Sequence, residues 1–235
     1  MNIISQGKIF LSDQRSITES DRIKRYSTFN FESFYSPAKK PVGNLYALHD
    51  DMLAPNADLN FYTREQGYIF IVPITGNINY IDEQKNETCI EVGKSLLIYL
   101  DKNAFIKLKN PYEKEQINYL MIALKSDETP QRSLTLLDID LSKVNQLETV
   151  AQPLPSFKIS IGRYKGRGES QYVIGRSSTL YCFVLAGTFE IDGRLLHNRD
   201  GIALTATEKI EMEALSDHAL LLTVELSPKT SYILF

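Results

Sequence analysis

Residues 70–80 (FIVPITGNINY) and residues 181–191 (YCFVLAGTFEI) share one pattern, and this pattern decides the fold. Each stretch is a run rich in β-branched and aromatic residues, then a turn of small residues carrying Gly76 or Gly187, then a second such run. Both stretches are followed by a polar hairpin and then by an apolar strand that begins near Gly93 or Gly201. A strand of alternating apolar and polar residues comes next. The repeat therefore predicts two copies of one antiparallel β unit in tandem.

The rest of the chain also favours strands. Residues 104–109 (AFIKLK) and 209–214 (KIEMEA) alternate apolar and polar side chains, which is typical of a strand with one buried face. Only Leu141 to Val150, with Asp140 or Ser142 as a cap, indicates a short helix. We expect an all-β protein.

The prolines suggest where one barrel ends and the next begins. Pro130, Pro153 and Pro155 lie in a polar stretch between the two repeat copies. We therefore expect an N-terminal barrel over residues 1–130, a connector over 131–156 and a C-terminal barrel over 157–235.

Charge and composition limit the function. The chain has 235 residues, with 26 Lys plus Arg against 29 Asp plus Glu, so its formal charge is −3. This balance gives no electrostatic reason to bind nucleic acid. Two cysteines cannot form a disulfide framework, residues 1–15 do not have the pattern of a signal peptide, and the apolar run 68–76 is too short to cross a bilayer. We expect a cytoplasmic protein without a membrane or nucleic-acid partner, and the sequence indicates no oligomeric state.

Several motifs resemble one known family. The repeated unit resembles a cupin barrel, and two copies make a bicupin. Residues 25–37 (RYSTFNFESFYSP) and 45–56 (LYALHDDMLAPN) resemble the two opening motifs of the pirin family, in the same order. Residues 181–187 and 202–214 resemble its C-terminal cupin. The resemblance covers roughly residues 25–226 and implies two tandem cupin (jelly-roll) barrels.

The resemblance also implies a metal. Pirins are known as iron-binding bicupins; some open flavonols as quercetin 2,3-dioxygenases, and others act as nuclear transcription cofactors. Their N-terminal barrel holds the metal with a His-x-His pair and a His-x-Glu pair. Residues i and i+2 of a strand share a face, so both pairs point into the barrel.

This chain departs from the family at those four positions. Counting back from Gly76 places the first pair at Tyr62 and Arg64, and counting on from Gly93 places the second pair at Ile106 and Leu108. None of these is a histidine or a carboxylate, and a guanidinium repels a divalent cation. We therefore expect no metal, no other cofactor and no catalytic residue.

The four positions become candidate binding residues lining the N-terminal barrel. An inward Arg64 needs a partner, because an unpaired buried charge is costly. That partner is either an internal carboxylate such as Glu65 or Asp101, or the carboxylate of a small anionic ligand, with Tyr62 adding a hydroxyl. Ile106 and Leu108 are interpreted as core filling, or as the wall of a small apolar pocket.

Other chemistry-bearing residues have plainer interpretations. His49, followed by Asp50 and Asp51, is interpreted as part of a solvated turn rather than an acid–base site. Cys182 is expected to be buried and inert, and Cys89 exposed, with redox sensing as its minority interpretation. The basic stretch around residues 163–176 has no phosphate-loop motif, so a solvated strand and loop is expected, with an anionic partner surface as the alternative.

These observations favour a metal-free, pirin-like bicupin that binds a small molecule or a protein, with a regulatory role. One alternative is a quercetinase-like dioxygenase, which the missing ligands disfavour. The other is a metal-independent enzyme that uses Tyr62 and Arg64 on an anionic substrate.

Overall fold

The structure is a computed structural model that describes residues 5–32, 34–128, 134–154, 156–205 and 208–228. These residues form β-strands joined by turns, with two short 3₁₀ segments at Ser12–Gln14 and Pro37–Lys39. Pro130 and Pro155, which helped to mark the expected connector, lie outside the described residues. The strands, in chain order, are β1 (Gln6–Phe10), β2 (Ser16–Glu19), β3 (Ile23–Ser27), β4 (Leu45–Leu53), β5 (Asp58–Tyr62), β6 (Gly67–Thr75), β7 (Ile78–Ile81), β8 (Glu87–Ile90), β9 (Lys94–Leu100), β10 (Phe105–Lys109), β11 (Ile117–Lys125), β12 (Leu134–Asp138), β13 (Gln146–Leu154), β14 (Phe157–Tyr164), β15 (Glu169–Val173), β16 (Thr179–Ala186), β17 (Phe189–Ile191), β18 (Arg194–Leu196), β19 (Gly201–Thr205), β20 (Lys209–Ala214) and β21 (Ala219–Leu226).

The strands build two barrels of matching topology. In the N-terminal barrel, a seven-stranded sheet of order β12-β9-β6-β11-β4-β3-β2 accompanies a four-stranded sheet of order β5-β10-β7-β8. In the C-terminal barrel, a six-stranded sheet of order β1-β19-β16-β21-β14-β13 accompanies a four-stranded sheet of order β15-β20-β17-β18. Because β9-β6-β11-β4 corresponds strand for strand to β19-β16-β21-β14, the predicted repeat and all-β class are confirmed.

The boundaries of the two units differ from the expected ones. One unit spans Gln14–Ile139, and the other joins the described part of residues 1–13 to that of residues 140–235. Strand β1 pairs with β19, so Gln6–Phe10 belongs to the C-terminal barrel. Within the described part of the expected connector, β12 pairs with β9 and β13 with β14. These added strands cover sheet edges that would otherwise expose unpaired backbone groups.

The short helix expected at Leu141 to Val150 is wrong. The second half of that segment belongs to β13, whose residues pair antiparallel with β14 from Gln146 opposite Arg163 onward. Helical propensity in a ten-residue segment is a weak preference, since a short isolated helix is marginal in water. Pairing with an open sheet edge satisfies the same backbone groups and decides the outcome.

Each barrel has its own apolar core. The N-terminal core takes side chains from both sheets, including Ile71 of β6, Ile106 and Leu108 of β10, and Met121 of β11. In β4 and β11 the inward residues follow the alternation of an antiparallel strand, so Ala47 and Leu53 share the inner face with residues 49 and 51. This parity determines which polar side chains of β4 enter the barrel.

One glycine fixes the start of β6. Gly67 has φ of +148°, and a Cβ at this position would collide with the backbone oxygen of Leu124 on the neighbouring strand. Gly67 is therefore needed for close backbone packing of β6 against the end of β11.

Candidate functional site

The four positions predicted to line the N-terminal barrel separate into two pairs. Ile106 and Leu108 lie on β10, are fully buried and belong to the core. Tyr62 is 62% exposed, and Arg64 is also exposed. Our placement of Tyr62 and Arg64 inside the barrel is therefore corrected, whereas Ile106 and Leu108 do line it.

Strand parity explains the correction. Phe61 pairs directly with Ile106 and is 3% exposed, so these two residues share the inner face. Tyr62 pairs with Phe105 and must face the opposite side, where the two rings lie 6.0 Å apart. Counting residues from Gly76 gave the position of the expected ligand pair along the sequence, but the pairing of β5 with β10 decides which face of the sheet each side chain takes.

Arg64 follows the end of β5 and lies against an aromatic ring instead of a carboxylate. Its Cζ is 4.2 Å from the ring centroid of Phe31, a cation–π contact. Glu65, one of its two expected partners, pairs with Lys125 at 3.1 Å. Among the described residues Arg64 forms no ion pair, so its charge is not balanced by a carboxylate of the barrel.

A different group of polar residues occupies the inner face of the seven-stranded sheet. We call it the inner polar cluster: Arg25 and Ser27 of β3, His49 and Asp51 of β4, and Tyr119 of β11. Arg25 lies opposite Asp51, Ser27 opposite His49, and Asp51 opposite Tyr119 in the strand pairing. The cluster therefore forms two adjacent cross-strand rows on one face.

The first row holds a buried bidentate ion pair. Arg25 donates from Nε to Asp51 Oδ1 at 2.8 Å and from Nη2 to Oδ2 at 2.6 Å. Asp51 is fully buried and Arg25 is 7% exposed. Burial opposes the charge of Arg25, but the hydrogen bond and charge of Asp51 outweigh it, and the pKa of Arg25 rises. The guanidinium and the carboxylate thus remain an ion pair.

The second row holds a neutral imidazole. His49 Nδ1 lies 2.9 Å from Ser27 Oγ, and the ring is 1% exposed. Burial lowers the pKa of His49 well below its usual value, and the positive charges of Arg25 and Arg64 lower it further. The His49 imidazole is therefore uncharged at neutral pH.

Two polar atoms of the inner polar cluster are buried without a hydrogen bond of normal geometry to a described residue. They are Nε2 of His49 and the hydroxyl oxygen of Tyr119. Burial raises the pKa of Tyr119 well above its usual value, and the neighbouring Asp51 adds to this effect. Tyr119 therefore stays protonated and can donate. Buried polar groups are normally paired, so two such atoms on one face indicate a place for a ligand or a water molecule.

The interpretation of His49, Asp50 and Asp51 as a solvated turn is wrong. All three lie within the nine-residue β4 and are 5% exposed or less. Asp50 pairs with Arg15 at 3.0 Å and accepts a hydrogen bond from Asn118. The signal that sequence reasoning missed is the uninterrupted strand character on both sides of the acids, with no Gly or Pro to mark a turn.

The donors inside the N-terminal barrel do not fit the metal that the resemblance implies. Ile106 and Leu108 offer no donor atom, and the residues opposite them on β5 are Phe61 and Leu59. Within the described residues no group of three or more His, Cys, Asp or Glu is arranged to hold a metal ion. A site of this type needs several nitrogen and oxygen ligands converging on one point. The single imidazole of His49, already bonded to Ser27, does not supply that set.

The remaining candidates lie outside this cluster. Cys89 is exposed and Cys182 buried, as expected, and burial with nearby Glu91 and Glu87 raises the pKa of Cys89, opposite to what a redox sensor needs. In the basic stretch, Arg167 pairs with Glu213 at 2.6 Å, and Arg163 and Lys165 border a small cavity of about 150 Å³. These features give no enclosed reaction site.

Comparison with known proteins identifies the class. Residues 156–226 match the family model Pirin_C_2, described as the quercetinase C-terminal cupin domain. The fold is that of YhhW from Escherichia coli, with a TM-score of 0.83 at 16% identity over 95% of this chain and 98% of that one. The same protein, described as a bacterial pirin in complex with nickel(II), matches equally over 95% of this chain and 100% of that one.

A quercetin 2,3-dioxygenase from Acinetobacter baumannii also shares the fold, with a TM-score of 0.72 at 10% identity over 96% of this chain and 88% of that one. No curated protein sequence matches. Two barrels of matching topology, the second matching a cupin model, define a bicupin. The matched C-terminal segment and the shared fold agree with the resemblance of the opening motifs to the pirin family.

One further observation concerns membranes. No helix in the described part of the chain is both long and apolar enough to span a bilayer.

Proposed function

We propose that this protein is a metal-independent bicupin of the cytoplasm, and that its N-terminal barrel binds a small anionic ligand rather than catalysing an oxygenation. The observation that carries the proposal is the content of the barrel. Counting from the glycines assigned the pirin ligand positions to Tyr62, Arg64, Ile106 and Leu108, but the residues of β5 and β10 that face the interior are Leu59, Phe61, Ile106 and Leu108, and none of these offers a metal ligand. The interior instead holds the inner polar cluster, with an ion pair and two unsatisfied polar atoms.

Charge supports an anion as the ligand. Arg25 is neutralised by Asp51, but Arg64 has no carboxylate partner among the described residues. Glu32 lies close enough to raise the pKa of Arg25 as well, but Arg64 makes no ion pair among the described residues, so its guanidinium can pair with an anionic ligand and would repel a divalent cation.

The second candidate, a quercetinase-like dioxygenase, is favoured by the family description of residues 156–226. It requires a metal, and the donor atoms around Ile106 and Leu108 do not provide a site for one. The third candidate, a metal-independent enzyme using Tyr62 and Arg64, is disfavoured because Tyr62 is 62% exposed and faces away from the barrel interior.

Metal analysis tests the proposal. The purified protein is dialysed without chelator, its Fe, Ni, Cu, Mn and Zn are measured by mass spectrometry, and it is then titrated with Fe(II) and Ni(II) by calorimetry. YhhW, which has been solved with nickel(II), is the positive control carried through the same steps. We expect substoichiometric metal and no saturable uptake, together with no oxygen consumption on quercetin. Uptake of one equivalent, or turnover of quercetin, would refute the proposal.

A further inference from the structure

An aromatic ring from a loop fills the space above the inner polar cluster. Phe31 is 9% exposed and lies in the segment between β3 and β4. Its ring stacks on Phe61 with the centroids 6.1 Å apart and 12° between the planes. The Cζ atoms of Arg64 and Arg25 lie 4.2 and 5.7 Å from the centroid of the Phe31 ring. The centroid of the His49 ring lies 4.3 Å from it in a T-shaped arrangement. The Phe31 ring is thus held by one aromatic ring, one imidazole and two guanidinium groups.

This is an unusual environment for an apolar core residue. Two cations, one of them without a carboxylate partner, face a ring that offers them only its π electrons. The cation–π contact leaves the hydrogen-bond donors of the exposed Arg64 guanidinium available to an anion. A ring that carried a negative charge would keep the stacking on Phe61 and also balance the charge of Arg64.

The inner polar cluster also supplies two buried hydrogen-bond donors. His49 Nε2 and the Tyr119 hydroxyl are buried without a hydrogen bond of normal geometry to a described residue, although the hydroxyl is close enough to Asp51 for its pKa to be raised by that carboxylate. When the Ser27 hydroxyl donates to Nδ1, Nε2 carries the proton and becomes a donor, as the Tyr119 hydroxyl is. His49 lies opposite Met121, two residues along β11 from Tyr119, so the two donors are diagonal neighbours on one face. Two adjacent donors match the two oxygens of a carboxylate.

The loop that carries Phe31 is tied together independently of the barrel strands. Asn30 donates from Nδ2 to the carbonyl of Ser36 at 3.0 Å and accepts from the Ser36 amide at 2.8 Å. The amide of Phe34 donates to the carbonyl of Phe31 at 3.0 Å. Phe31 itself belongs to no strand of the two sheets, so its ring can leave the site without breaking a strand pairing.

We propose that Phe31 occupies a binding site for an aromatic carboxylate. The ligand ring replaces the phenyl ring of Phe31 between Arg64 and Phe61, and its carboxylate accepts hydrogen bonds from His49 Nε2 and the Tyr119 hydroxyl. This inference rests on the proposed ligand-binding function and names its ligand class. No covalent step is involved.

The test removes the resident ring and supplies a free one. Phe31→Ala is titrated with benzoate by calorimetry, next to the wild-type protein and the control Phe34→Ala, which shortens another aromatic residue of the same loop. We expect Phe31→Ala to bind benzoate at least about tenfold more tightly than the other two proteins, because they keep the Phe31 ring in the site. Phe31→Val, a smaller truncation, is titrated in the same way if Phe31→Ala does not fold.

Two further comparisons separate this site from a simple cavity. Benzyl alcohol, a neutral ring of similar size, is expected to bind Phe31→Ala at least about tenfold more weakly than benzoate, since a hydrogen bond to a charged group contributes roughly that factor or more. Acetate, a carboxylate without a ring, is also expected to bind at least about tenfold more weakly, because it loses the apolar area and the stacking on Phe61. Adding His49→Leu to Phe31→Ala is expected to weaken benzoate binding by about the same factor.

The outcomes are distinct. No saturable binding of benzoate to a folded truncation variant refutes the inference, and equal affinity for benzyl alcohol refutes the role of the polar groups. Metal content is measured on the same samples. A metal-free, folded Phe31→Ala variant that does not bind benzoate overturns only this inference, whereas protein with stoichiometric metal overturns the proposed function itself.

Discussion

Acidification is expected to destabilise the N-terminal barrel through a single imidazole. His49 is buried and neutral, and burial followed by the charges of Arg25 and Arg64 holds its pKa well below the usual 6.5. In the unfolded chain the same imidazole titrates near its usual value. Below that pH the unfolded state binds one more proton than the folded state, so stability falls as the pH falls.

The magnitude follows from this linkage. A base whose pKa is about 6.5 when unfolded, and whose folded form stays neutral, favours unfolding by about 0.1 kcal/mol at pH 7.5 and about 1.4 kcal/mol at pH 5.5. The difference is roughly 1.4 kcal/mol, close to the free energy of one pKa unit. Asp51 and Tyr119 also face this part of the barrel. Asp51 is hydrogen-bonded to Arg25, and the pKa of Tyr119 is raised well above its usual value, so Tyr119 is not expected to titrate with His49.

The matched variant is His49→Gln, whose amide can keep a hydrogen bond to Ser27 but does not titrate. Urea unfolding is followed by circular dichroism and tyrosine fluorescence, since the chain has no tryptophan, at several pH values between 7.5 and 5.5. His197 and His218 are present in both proteins, so their contributions cancel in the difference. The stability of wild type relative to His49→Gln is expected to fall by about 1.4 kcal/mol across this range. A difference that stays constant with pH would show that His49 is accessible and protonated in the folded state, contrary to the reasoning.

Three other predictions concern burial. Ile106→Ala should lower the free energy of unfolding by about 2–4 kcal/mol because it leaves a cavity in the core, whereas Tyr62→Ala at the exposed neighbouring position should change it by less than about 1 kcal/mol in the same denaturation assay. Asp51→Asn should destabilise by about 3–5 kcal/mol because a buried guanidinium loses its counter-ion; a loss below 1 kcal/mol would show that the pair is solvated. In the native protein a thiol reagent should modify Cys89 alone, slowly at neutral pH because the pKa of its thiol is raised, and should reach Cys182 only after unfolding; rapid modification of both would contradict the assigned burial.

The fold could be predicted from the sequence because its strand–glycine–strand pattern occurs twice in the chain. The two strand–glycine–strand stretches, 70–80 and 181–191, become β6–β7 and β16–β17 in sheets of the same order. The segment 141–150 shows the limit of such reasoning. Its residues are compatible with a short helix, but its second half pairs with the open edge of β14 and becomes part of β13. The local sequence does not show that this edge is available.

The interior of the barrel was predicted less well, because it depends on parity rather than on residue type. Side chains of a strand alternate between its two faces, so the distance of Tyr62 from a glycine does not decide whether it points into the barrel or to solvent. The register of β5 against β10 decides this. The same parity turns His49 and Asp51 inward, although the sequence His-Asp-Asp has the composition of a surface turn. In both cases the partner strand, not the residue, decides. A polar group that is buried by the register of its neighbouring strand, such as His49, therefore has no signature of its own in the sequence.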